Sequence, residues 1–129
     1  MMRRRLLEIP LSGDLYPIGT DIVKKYVYDA GYSFTYDTYL SATTGEVISG
    51  SYATEEIYIP IDPTYTYEKN GYRLSRACWY DSDKTYISDT AQNNTSVQVI
   101  TNIPQNARFL RFATVKGISA KQYAITRIA

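Results

Sequence analysis

Residues 57–88, IYIPIDPTYTYEKNGYRLSRACWYDSDKTYIS, constrain the fold more than any other stretch. Ile57, Ile59 and Ile61 alternate with Tyr58 and Pro60, and Thr64-Tyr65-Thr66-Tyr67 alternates again. Side chains two apart share a face only on a strand. Pro60 has no backbone N–H to donate, so its strand lies at a sheet edge or ends there. Lys69-Asn70-Gly71 and Asp81-Ser82-Asp83-Lys84 supply turn chemistry around an apolar run containing Ala77, Cys78 and Trp79. Thr85-Tyr86-Ile87-Ser88 reads as the return strand.

The same rhythm extends both ways. Tyr32, Phe34 and Tyr36 share a face, and Thr43-Thr44-Gly45-Glu46 reads as a hairpin turn before Val47 and Ile48. Residues 89–96 read as a polar loop, Val97 and Val99 as a strand, Pro104-Gln105-Asn106 as a turn, and 107–114 and 122–128 as the last strands. Segment 22–28 admits two readings. Thr20 or Asp21 can cap a short helix that Gly31 stops, whereas its β-branched and aromatic content favours a strand. Strands at roughly 8–12-residue intervals, with turns between them, predict an all-β, jelly-roll-like sandwich of about 8–10 short antiparallel strands. At 129 residues the chain fits one domain, with residues 1–20 as an extended N-terminal arm and 21–129 as the sandwich.

In the arm, Arg3, Arg4 and Arg5 precede Leu6 and Leu7, and then Glu8 and Pro10 cut the apolar run short. That is too short for a secretory h-region or a membrane span, so the chain is expected to stay where it is made or to leave by a route other than a cleaved signal. With a net charge of +1 no global field favours nucleic acid. Arginines in so short a cluster bind phosphates weakly, so Arg3, Arg4, Arg5, Leu6 and Leu7 are expected to anchor the chain to a protein partner.

Catalysis is disfavoured. Without histidine, Ser-His-Asp and Cys-His arrangements are excluded. Glu46, Glu55, Glu56 and Glu68 offer carboxylates, but nothing sets two of them across a cleft. Asp81 and Asp83 suit an Asx turn better than a Ca²⁺ site, which needs six to eight oxygens. The lone Cys78 reads as a small buried hydrophobe, and no cofactor or metal is expected. Trp79 can be core or a sugar-stacking platform, and its apolar strand favours core. Of the 14 tyrosines, Tyr58, Tyr65, Tyr67, Tyr72 and Tyr86 exceed what a core this size needs and are expected on a contact surface. Arg111, between Leu110 and Phe112, faces away from both, where its guanidinium can cap carbonyls or stack on a tyrosine.

Three stretches, TTGEVISGSYATEEIYIPIDPTYTY (43–67), ACWYDSDKTYIS (77–88) and VITNIPQNARFLRFAT (99–114), resemble a β-sandwich module that recurs in phage tail and fibre proteins and in surface proteins of gut bacteria. The resemblance implies a jelly-roll-like fold and a virion or cell-surface setting with suspected glycan contact, and it transfers no catalytic residue. The expected function is thus a non-enzymatic structural protein of a phage virion, made in the host cytoplasm. Its expected partners are other virion proteins in a homo- or hetero-oligomeric assembly. The alternative is a carbohydrate-binding module that uses exposed aromatics on a host-surface glycan.

Overall fold

In the computed structural model, which describes residues 15–32, 38–49, 53–54, 57–70, 74–92, 97–114 and 123–129, the alternating segments form short strands. In chain order these are β1 (Thr38–Leu40), β2 (Val47–Ser49), β3 (Ala53–Thr54), β4 (Ile59–Pro60) and β5 (Tyr67–Lys69). After them come β6 (Leu74–Tyr80), β7 (Tyr86–Gln92), β8 (Gln98–Val99), β9 (Phe109–Thr114) and β10 (Ile125–Arg127). All pairings between these strands are antiparallel. A five-stranded sheet runs β3-β9-β6-β7, with β4 also on β9; a three-stranded sheet runs β10-β5-β8, and β1 with β2 forms a separate hairpin. One side of β9 is taken by β6, so β3 and β4 are two pieces of one interrupted edge strand. Pro60 lies in that edge, as its missing N–H requires.

Two facing strands carry the packing. Trp79 opposite Leu110 and Ala77 opposite Phe112 point to one side of the large sheet, while Cys78 opposite Arg111 and Tyr80 opposite Phe109 point to the other. The first set joins Ile59, Tyr67, Ile100, Tyr123 and Ile125 in the main core, so the two larger sheets form an all-β sandwich. Trp79 is 1% exposed and donates its indole N–H to Thr90 Oγ1 at 3.0 Å, which makes it a core residue and no sugar platform. The second set, Cys78 and Tyr80 with Leu40, makes a smaller core beneath the β1–β2 hairpin.

Four local expectations change. Segment 22–28 is helical, not a strand: Asp21 Oδ1 accepts the amides of Val23 and Lys24 at 3.0 and 3.2 Å, and Lys24–Tyr28 form a short π-helical turn. Asp29 N–H to Lys24 O and Tyr32 N–H to Val27 O close it, and Gly31 at φ +86° ends it. Here the cap outweighs β propensity, because Ile22, Val23 and Val27 still reach the core from a helix. Residues 89–92, expected as loop, extend β7, because β6 supplies the pairing edge for Asp89 and Thr90. The strands flanking Asn70-Gly71 do not pair with each other. β5 belongs to the three-stranded sheet and β6 to the five-stranded one, and Gly71 of the expected turn lies outside the described residues.

The fourth change concerns the arm. Its last residues, 15–20, belong to the folded unit. Tyr16 is 2% exposed among Tyr26, Tyr65 and Tyr67, with centroid separations of 6.1, 5.7 and 6.5 Å. Its hydroxyl pairs with Tyr67 Oη at 2.7 Å and donates to the Pro60 carbonyl at 3.0 Å. Gly19 N–H reaches Arg127 O at 2.7 Å and Arg127 N–H returns to Thr20 O at 2.9 Å, so this segment lines the edge of β10. Arg127 stacks 3.4 Å from the Tyr65 ring centroid and donates to Tyr16 O at 2.7 Å and Ala129 O at 3.2 Å, clasping both ends of the described chain.

These interiors make the fold sensitive to alkali. Burial pushes the phenols of Tyr16, Tyr80 and Tyr123 well above their ordinary value, Tyr67 up to about 12 and the Cys78 thiol up to about 11. The folded chain therefore holds these protons where the unfolded chain, titrating near 9.0 for thiol and 10.0 for phenol, releases them. Stability from these groups is complete below about pH 9 and falls as pH rises through the folded values. Each phenol removes about 1.4 kcal/mol per pH unit above pH 10, so Tyr16, Tyr67, Tyr80 and Tyr123 together remove on the order of 5 kcal/mol per unit. Thermal melts from about pH 8 to pH 11 should show a steep loss of Tm above pH 10, with tyrosinate absorbance rising together with unfolding. A Tm that stays level between pH 8 and pH 11 would contradict it.

Candidate functional site

The outer face of the five-stranded sheet gathers the unusual chemistry. Period two brings Tyr80 from β6 and Phe109 and Arg111 from β9 to this side, Tyr58 enters just before β4, and Tyr86 begins β7. Across them lies the turn between β1 and β2. Arg111, 8% exposed, donates Nη2–H to Gly45 O at 2.6 Å and Nε–H to Tyr80 Oη at 3.2 Å. Its guanidinium carbon sits 4.5 Å from the Tyr58 centroid and 5.1 Å from that of Tyr80. Both expected roles of Arg111, capping a carbonyl and stacking on tyrosine, occur together.

The hydroxyl of Tyr80 also donates to Gly45 O, and that of Tyr86 to Ala42 O. Nearby, Arg76 donates to Leu40 O at 3.2 Å, stacks 5.0 Å from the Tyr39 centroid, and lies 3.3 Å from Asp89 Oδ2. The hairpin is thus held down by cations and phenols gripping its carbonyls. Lys84 completes the group, its ammonium 5.1 Å from the Tyr58 centroid and 5.4 Å from that of Phe109.

Of the tyrosines expected on a contact surface, Tyr58 and Tyr86 are half-buried in this cluster. Tyr65 and Tyr67 are not on the surface. At 8% and 1% exposed they line the Tyr16 pocket, because their hydroxyls find partners inside: Tyr65 Oη accepts Leu15 N–H at 2.9 Å and Tyr67 Oη accepts Asp62 N–H at 3.0 Å. Tyr72, Arg3, Arg4, Arg5, Leu6 and Leu7 lie outside the described residues. Sequence reading missed Tyr16, Lys84 and Phe109. For Phe109 the signal was present, since it lies two residues from Arg111 and so shares its face.

Burial raises the Cys78 thiol, whereas a reactive cysteine needs a lowered value. Asp81 Oδ1 accepts the Asp83 and Thr85 amides at 2.9 and 3.0 Å, the expected Asx turn. A surface depression of about 250 Å³ touches Asp21 and Asp29, but Asp21 caps the helix and Asp29 pairs with Lys24 at 3.0 Å. Among the described residues no cluster of three metal-binding side chains occurs and no helix is long and apolar enough to cross a membrane. What the outer-face cluster can do is attract negative charge. No protein-family model, curated protein or solved structure matches the chain.

Proposed function

We propose that the chain is a non-enzymatic structural protein of a phage virion, anchored through its N-terminal residues and presenting the sandwich outward from a head, tail or fibre. The resemblance of 43–114 to the phage-associated module motivates the setting. The observation that carries the anchor is the burial of Tyr16, backed by the Arg127 clasp. Residues 1–14 join the domain at a point fixed in its core, so load on an N-terminal anchor passes into the sandwich instead of peeling a loose end. Arg3, Arg4, Arg5, Leu6 and Leu7 would make the contact, apolar groups supplying burial and arginines pairing with acidic groups on the partner.

The experiment is deletion of residues 1–12 in cells producing the assembly. The truncated domain should melt within a few degrees of the full chain and be lost from purified particles. Normal incorporation would end the anchor reading. The carbohydrate-binding alternative is weaker, because Trp79 is interior and the Tyr58 ring is already flanked by two cations.

A further inference from the structure

We propose that Lys84 and Arg111, which both lie against the Tyr58 ring, form a binding site for the carboxylate side chains of an acidic segment on a partner protein. Both cations lie close to one ring centroid, Arg111 at 4.5 Å and Lys84 at 5.1 Å. Two like charges about one ring repel, and more strongly where one is buried. A buried guanidinium normally faces a carboxylate. Among the described residues none lies within ion-pair distance of either cation, since the ion pairs there are Lys24–Asp29 and Arg76–Asp89. Of the two turn carboxylates, Asp81 is committed to backbone amides, and Asp83 makes no ion pair with Lys84. The rings soften the repulsion without neutralising it, and an incoming carboxylate would turn it into attraction.

The backbone supplies a second, independent observation. Lys84 stands at φ +62°, closing the β6–β7 turn with its N–H on Asp81 O at 2.9 Å. At this place in a hairpin glycine or asparagine is relaxed and lysine is strained. Strain of this kind clusters at binding sites and switches, where the surrounding structure holds it. Here the side chain is exposed and laid along Tyr58 and Phe109.

The chemistry selects the ligand. Arg111 and Lys84 occupy the Tyr58 ring, which weighs against a stacked sugar and favours a side chain that brings charge alone. The site stands on this geometry and takes from the assembly reading only the class of partner.

The test titrates the isotope-labelled full chain with a hexaglutamate peptide and separately with a sialylated trisaccharide, at low and at physiological salt, following amide and Arg Nε–H resonances. The expected result is saturable peptide-induced shifts confined to Lys84, Tyr58, Phe109 and Arg111, weakening with salt. Lys84→Asn, which keeps a residue tolerant of positive φ, should fold at least as stably and bind the peptide about tenfold more weakly. Peptide binding equal in Lys84→Asn and the parent, or no saturable peptide shift, overturns the site. Trisaccharide binding here in place of peptide overturns the protein partner in favour of a glycan. None of these outcomes depends on residues 1–12, so the site and the anchor fail separately.

Discussion

Replacing Gly45 by valine should unfold the β1–β2 hairpin from the sheet and cost the domain about 3–5 kcal/mol, among the largest effects of any single substitution. Two causes combine. Gly45 stands at φ +70°, a conformation that a β-branched residue adopts only under strain. A Cβ there would also lie 2.4 Å and 2.7 Å from Tyr86 Cδ1 and Cγ and 3.0 Å from Tyr80 Cε2. Those rings cannot withdraw cheaply, because their hydroxyls grip Gly45 O and Ala42 O. Losing the turn would leave the Arg111 guanidinium buried without its carbonyl acceptor, an added cost beyond the clash. With about 3–6 °C of Tm per kcal/mol for a domain of this size, the melt should fall by 10 °C or more. Gly45→Ala should fall less, since it keeps the close contact with a smaller conformational penalty. A valine variant that melts with the parent would mean the hairpin does not rest on this face.

The second large effect is expected at Tyr16. Tyr16→Ala removes a ring packed against Tyr26, Tyr65 and Tyr67 and should destabilise by about 3–5 kcal/mol, as deletion of a buried aromatic usually does. Tyr16→Phe keeps the ring and loses only the hydroxyl bonds to Tyr67 and Pro60, for about 1–2 kcal/mol. Chemical denaturation of the two variants separates packing from hydrogen bonding. If Tyr16→Ala were nearly neutral, residues 15–20 would be an appendage and the anchor would have no fixed root.

Alternation made most of the sheet-forming segments legible, and with them the division of β9 into two faces. Arg111 could be placed because Leu110 and Phe112 flank it on a strand. The tyrosines could not, since a phenol suits core and surface equally until its hydroxyl partner is known. Tyr67 is interior because Asp62 and Tyr16, distant from it in different degrees along the chain, both meet its oxygen. Tyr16 was hidden for a related reason: it lies in a Pro- and Gly-containing stretch with no period, and only long-range contact reveals it. The helix at 22–28 was a contest between a cap and side-chain propensity, and local sequence alone does not weigh them. The placing of β5 in a different sheet from β6 likewise depends on β8 and β10, both distant from it along the chain.

The chain is rooted in the core from Tyr16 onward, so the proposed anchor ahead of it would be held by the whole domain. Amide hydrogen exchange on the native full chain tests this most directly. Gly19 N–H, bonded to Arg127 O, and Arg127 N–H, bonded to Thr20 O, should exchange as slowly as the amides joining β6 to β9. Exchange of the Gly19 amide at the rate of an unstructured peptide, with β6 and β9 still protected, would contradict it.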